Sequence, residues 1–290
     1  MSEAGAFTER YYRSFDNLRL YYRDYGPHHG ARPALLCLPG LTRNGKDFHE
    51  LALRYAAERR VLIPDYRGRG RSQYDHDPRH YSAEVSLHDT LALLDAAGIE
   101  RVAVVGTSMG GLIAMGMAVA RPRALAGAVI NDVGPDIELA GLRQIVEWIK
   151  HDRPQPDYET AAQYLKTHAA QIGVRSDEGW LKLARNTWRK GEDGQLHFDY
   201  DLRLVEPVAE LIAQGKSAPT DLWLLFGALG PFRALLLRGE NSTVLSRETA
   251  AKMSALKPDL RVVEVAGAGH TPQLDEPESL EAIDAFLAQV

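Results

Sequence analysis

With one cysteine in 290 residues, the chain has no partner thiol for an internal disulfide and no thiolate set for a metal. That residue, Cys37, lies in the apolar run Ala34-Leu35-Leu36-Cys37-Leu38, where a free thiol packs as a small hydrophobe. Long hydrophobic stretches are missing as well: no run approaches the roughly 20 apolar residues that a bilayer-spanning helix needs. Nor does an apolar segment follow a basic start at the N-terminus, so no signal peptide is legible and a cytoplasmic protein is expected. A basic excess is lacking too. The formal net charge is −5 and the pI is near 6.1, whereas a nucleic-acid partner calls for a cationic face to neutralise phosphates. The short cluster Arg67-Gly68-Arg69-Gly70-Arg71 reads instead as a solvated or acid-paired loop. The stretch Gly106 to Gly111 lacks the Lys-Ser/Thr ending of a phosphate loop, so neither a nucleotide cofactor nor a metal is expected. Internal repeats and low-complexity segments are absent.

What the chain does have is the composition of an ordinary globular protein, 45% hydrophobic and 25% charged, at a length that suits one large domain or one domain with an inserted lobe. Two strand-like segments, Glu9 to Phe15 and Leu18 to Tyr25, meet at Asp16-Asn17, residues that tolerate the positive φ angles of a hairpin turn. Short apolar runs follow at Ala34 to Leu38, Val61 to Pro64 and Val102 to Gly106, with helical patterns between them at about 45–58 and 82–97. A helix from Met109 to about Arg121 and a strand from Leu125 to Ile130 continue the alternation. It resumes near the end with strands Arg233 to Leu237 and Arg261 to Val265 and helices over 246–256 and 276–289. Strands alternating with helices imply right-handed crossovers and a mainly parallel sheet covered on both faces. Between about 137 and 217 the strand signal disappears, and Leu142, Ile145, Val146 and Ile149, then Ala161, Leu165 and Ala169, then Leu181, Ala184 and Trp188 recur at helical spacing.

The motif Gly106-Thr107-Ser108-Met109-Gly110 gains its weight from its setting. It follows the strand Val102-Ala103-Val104-Val105 and precedes the helix Leu112 to Val119. A serine on a sharp strand-to-helix turn takes a strained backbone conformation and needs small neighbours, which Gly106, Gly110 and Gly111 supply. Such a turn lifts the hydroxyl off the sheet edge and aims the Met109 N–H, at a helix N-terminus, toward a developing oxyanion.

On this elbow the chain resembles the α/β-hydrolase fold family across nearly its whole length, which implies a mainly parallel eight-stranded sheet with helices on both faces. Three further stretches are similar to family motifs. Leu38-Pro39-Gly40-Leu41-Thr42 falls at the oxyanion loop, making the Leu41 N–H the expected second donor; the usual histidine before the glycine is Pro39. Asp65-Tyr66-Arg67-Gly68-Arg69-Gly70 resembles a turn that is structural in the family. Val263-Glu264-Val265-Ala266-Gly267-Ala268-Gly269-His270 looks like the last strand and the loop carrying the catalytic histidine, so His270 is expected to act as base and then as acid. The third member departs from the common pattern. Where many relatives place an aspartate after the penultimate strand, Leu237-Arg238-Gly239-Glu240-Asn241-Ser242-Thr243 has Ser242 and Thr243. Asp132, in Asn131-Asp132-Val133, stands at the alternative position used by the haloalkane dehalogenase branch and is favoured; Glu240 is a second candidate, and a chain with no working acid is a third reading.

The resemblance also identifies 137–217 as a helical cap inserted into a core of 1–136 and 218–290. It carries Trp148, Trp180, Trp188, Tyr158, Tyr164 and Tyr200, a set that favours an apolar or aromatic substrate. A serine nucleophile argues against dehalogenase and epoxide hydrolase chemistry, where the family uses aspartate. The expectation is a serine esterase or lactonase acting through an acyl-enzyme on a small molecule, as a monomer or homodimer, with a C–C hydrolase and a non-catalytic ligand receptor as the competing classes.

Overall fold

The computed structural model describes residues 6–28, 30 and 32–290. Strands β1 (Thr8–Arg13) and β2 (Arg19–Tyr25) form the expected hairpin, turned at Asn17 with φ 69°. Then follow β3 (Ala34–Leu38), α1 (His49–Tyr55), β4 (Val61–Pro64), α2 (Ala83–Ala97), β5 (Val102–Thr107), α3 (Met109–Ala120) and β6 (Leu125–Asn131). The eight-stranded sheet runs β1-β2-β4-β3-β5-β6-β9-β10, where β9 is Arg233–Gly239 and β10 is Arg261–Val265. Only the β1–β2 and β2–β4 pairings are antiparallel; every later pair is parallel.

The strands bury both faces, so alternate residues feed two apolar layers. Leu36, Leu38, Val104, Ala128, Ile130 and Leu236 pack with α2 and α3 on one side. Leu35, Cys37, Val105, Val129, Leu235 and Leu237 pack on the other with α1 and with α10 (Pro277–Leu287). Cys37 has no exposed surface, as its apolar neighbours predict.

Residues 137–217 hold α4 (Leu139–Ile149), α5 (Tyr158–His168), α6 (Asp177–Thr187) and α7 (Glu206–Ala213). They also hold two strands that periodicity does not reveal, β7 (Trp188–Lys190) and β8 (Leu196–Phe198). Trp188 continues the helical spacing of Leu181 and Ala184, yet the helix ends one residue earlier, and the ring packs on Phe198 across the hairpin at 5.0 Å. Three-residue strands are too short to display a period of two, and this difference follows from that. Two other boundaries shift. The pattern over 45–58 resolves into a 3-10 turn and the shorter α1, and a helix α8 (Leu222–Gly227) precedes β9; α9 (Arg247–Leu256) follows it. Helices α5 and α6, the hairpin and Tyr81 share a third apolar cluster, separate from the two layers of the sheet. Among the described residues, no helix is long and apolar enough to cross a membrane.

Candidate active site

Parallel register brings the site residues together. Leu38 pairs with Gly106, Thr107 with Asn131, and Asn131 with Leu237. The chain therefore leaves β3, β5, β6 and β9 at one level on the carboxyl edge of the sheet, where ligands of open α/β sheets bind. Gly40 and Leu41, Ser108, Asp132 and Gly239 are the residues just past or at those ends.

Ser108 has φ 51° and ψ −114°, a strained conformation for a residue with a side chain. The turn survives because its neighbours lack side chains: a methyl group on Gly110 would fall 2.1 Å from the Leu38 carbonyl oxygen. Met109 opens α3, so its N–H belongs to the first turn, which has no acceptor within the helix. On the other side, a methyl on Gly40 would stand 3.8 Å from Ser108 Cβ, which places the loop carrying Leu41 directly against the serine.

A continuous hydrogen-bonded chain runs from that serine. Ser108 Oγ donates to His270 Nε2 at 3.0 Å, and His270 Nδ1 donates to Asp132 Oδ2 at 2.8 Å. The direction follows from chemistry, since a carboxylate only accepts and so assigns the ring proton to Nδ1, leaving Nε2 free to accept from a hydroxyl. Asp132 has no exposed side-chain surface and His270 has 12%. The other oxygen, Asp132 Oδ1, accepts from the Gly239 N–H at 2.9 Å, and the Asp132 N–H donates to the Leu237 carbonyl at 2.8 Å. Asp132 thus braces the turn out of β6 while it holds the imidazole. Glu240 points elsewhere: its Oε2 accepts from the Gly267 N–H at 2.8 Å, supporting the loop that leads to His270 without touching the ring. Ser242 Oγ accepts from the N–H groups of Val244 and Leu245, which closes a turn.

Two residues of the surroundings are not singled out by motif. Asn131 Nδ2 donates to Thr107 Oγ1 at 3.1 Å and to the Pro272 carbonyl at 3.0 Å, tying the elbow to the far side of the histidine loop. Its only sequence signal is a polar side chain ending a wholly buried strand. Arg69, fully buried, donates from Nε to the Leu41 carbonyl at 2.8 Å and from Nη1 to the Arg67 carbonyl at 2.6 Å. Burial outweighs the opposing pull of Tyr81, Tyr66 and Asp201 and pushes this guanidinium down to about 10. The basic cluster of the sequence is accordingly divided. Arg67 lies buried among Asp16, Asp75 and Asp89, Arg69 supports the loop beside Ser108, and Arg71 is exposed and pairs with Glu9.

Ser108 and His270 open into a cavity of about 1660 Å³, walled on one side by the sheet edge and on the other by residues of α4, α6 and α7. Of the six aromatic residues singled out within 137–217, Trp148 and Tyr200 line it. Trp180 and Trp188 are buried in the cluster above the sheet, and Tyr158 and Tyr164 pack against that cluster.

The α/β hydrolase fold family model matches residues 33–277. A 3-hydroxybutyrate-oligomer hydrolase of Cupriavidus necator is 33% identical over 277 residues, covering 93% of this chain and 92% of its own. A 2-(acetamidomethylene)succinate hydrolase of Mesorhizobium japonicum is 26% identical over 265 residues, 89% of each chain. The crystal structure of an α/β hydrolase from Novosphingobium aromaticivorans is 42% identical, with a TM-score of 0.92 over 98% of this chain and 99% of that one. With an eight-stranded sheet of this order and these relatives, the chain belongs to the α/β-hydrolase fold family, and it is a hydrolase.

Proposed function

We propose that the protein is a serine hydrolase that cleaves a carboxylic ester or lactone through an acyl-enzyme on Ser108. The observation that carries this reading is the unbroken chain Ser108–His270–Asp132 at 3.0 and 2.8 Å. Ser108 Oγ attacks the carbonyl carbon while its proton passes to His270 Nε2, and Asp132 orients the ring and stabilises the imidazolium. The tetrahedral oxyanion is held by the N–H groups of Leu41 and Met109. Collapse expels the alcohol, which takes the proton back from Nε2, and water then attacks the acyl-enzyme by the same route. In a lactone the leaving hydroxyl stays tethered to the acyl group.

Residues 137–217 act as a cap, since side chains of α4, α6 and α7 line the cavity opposite Ser108. Its volume exceeds the about 300–1,000 Å³ of many small-ligand sites, which suits an extended substrate. A hydroxybutyrate oligomer is a string of ester links, so the relative from C. necator favours ester over C–C cleavage. A fluorophosphonate probe should label the wild type and spare Ser108→Ala, and only the wild type should release nitrophenol from p-nitrophenyl butyrate. Equal labelling of both proteins would remove Ser108 from the reaction.

A further inference from the structure

Several cations line the cavity, and most are matched. Arg43 is held by Asp47 and donates to Thr187 Oγ1, Lys182 pairs with Asp275, Arg79 pairs with Asp77, and Arg143 is exposed to solvent. Arg153 differs from all of these. It is half-buried, its Nε is shut off from solvent with no hydrogen-bond partner, and among the described residues no carboxylate pairs with its guanidinium. The acid beside it is committed elsewhere: Asp152 Oδ1 accepts from the N–H groups of Arg153 and Phe198, and Oδ2 accepts from His197 Nδ1.

The side chain springs from a fixed point, since the Arg153 carbonyl accepts from Trp188 Nε1 at 3.0 Å. Its guanidinium carbon lies 5.2 Å from the centre of the Trp148 ring, and that stack continues through Tyr164 to His168. A cation held over a ring keeps its terminal N–H donors for other partners. Tyr200 lines the same cavity as Arg153 and Ser108. Burial pushes the Tyr200 hydroxyl up, Arg43 and Arg153 pull it back, and Asp152 pushes it further up. Arg43 in turn packs beside Gly40, next to Ser108.

We infer that Arg153 is a binding site for a carboxylate, so that the substrate is an ester carrying a free acid group at a distance from the scissile bond. The inference rests on the hydrolase reading above. A single planar fork fits a carboxylate edge to edge, whereas a phosphate calls for several cations or a nest of backbone N–H groups.

The test compares free acids with their methyl esters on both sides of the scissile bond. One series is p-nitrophenyl monoesters of straight-chain dicarboxylic acids from succinic to suberic; the other is linear 3-hydroxybutyrate trimer. The wild type should prefer a free acid of fitting length by about tenfold or more in kcat/KM. Arg153→Leu and Arg153→Gln should lose about 10- to 100-fold on the free acids, through KM, and stay within about twofold on the methyl esters. Equal turnover of acid and methyl ester by the wild type overturns the inference, as does an equal loss on both in the variants. Calorimetric titration of glutarate and adipate into Ser108→Ala, with and without Arg153→Leu, separates the two readings. If no ester is cleaved, the hydrolase reading fails, and the subsite stands or falls on whether dicarboxylate binding needs Arg153.

Discussion

Asp132 is wholly buried, and each of its carboxylate oxygens has its own donor, one on the His270 ring and one on the Gly239 backbone. Its φ of 61° is one that aspartate tolerates better than most residues. Ser108 and His270 are legible in the chain because glycines at fixed spacing mark a turn and a loop. The acid is not legible in that way, since the sequence alone leaves three readings of it open. Asp132→Asn should lower kcat by about 10²- to 10⁴-fold, because the amide presents the imidazole with the wrong partner. Glu240→Gln should cost only a few-fold, since the backbone N–H of Gly267 can still be accepted. Measuring kcat/KM of both variants on one ester checks the assignment, and near-wild-type activity in Asp132→Asn would refute it.

The loop after β3, the turn after β4 and the β7–β8 hairpin form one support for the edge of the site. The Gly70 N–H donates to the Asp199 carbonyl at 3.0 Å, and the Asp201 N–H donates to the Gly68 carbonyl at 2.7 Å, so the turn pairs with the chain just past β8. Lys46 Nζ and Asn44 Nδ2 reach Asp199 from the loop at 2.8 and 3.3 Å. Within this support Arg69 holds the carbonyl of Leu41, the same residue whose N–H is proposed as oxyanion donor. Donor placement matters most when charge develops on the carbonyl oxygen. Arg69→Met should therefore lower kcat by about 10- to 100-fold and leave KM within about threefold. Arg69→Lys should restore little, because an ammonium cannot reproduce a fork that binds two carbonyls. Steady-state kinetics on a neutral ester reads the difference, and an unchanged kcat in Arg69→Met would show that the loop holds itself.

The same turn shapes the stability of the whole chain. Asp65 is buried with Oδ1 accepting from the Gly45 N–H and Oδ2 from the Arg71 N–H, and burial outweighs these bonds to push it up to about 6. A raised folded-state pKa contributes stability that is fully present below the ordinary carboxylate value and is lost as the pH rises through 6. Between pH 4.5 and 7.5 the wild type should lose about 2 kcal/mol relative to Asp65→Asn, which does not titrate. Urea midpoints at both pH values test this, and parallel midpoints would contradict it. Asp16 works the other way: burial opposes its charge, but Arg67 and Ser14 hold it down to about 2, so its contribution persists above the usual carboxylate range and fades as the pH falls toward 2. Asp16, Asp75 and His80 converge closely enough to resemble a metal site, and the cation standing among them is the Arg67 guanidinium.

Strand alternation, the hairpin at Asp16-Asn17, the serine elbow and the glycine-rich histidine loop are local properties, written within about ten consecutive residues each and enforced by backbone sterics. Their order along the chain was enough for the parallel sheet and for naming Ser108 and His270 as candidates. The carboxylate opposite His270, 138 residues away, was not decided locally. Neither was the division of the arginine cluster into a buried ion network, a loop support and a surface pair, nor the unmatched state of Arg153. Each of these depends on which distant side chains burial brings to one place, and a charge removed from water is held only by the partners it meets there.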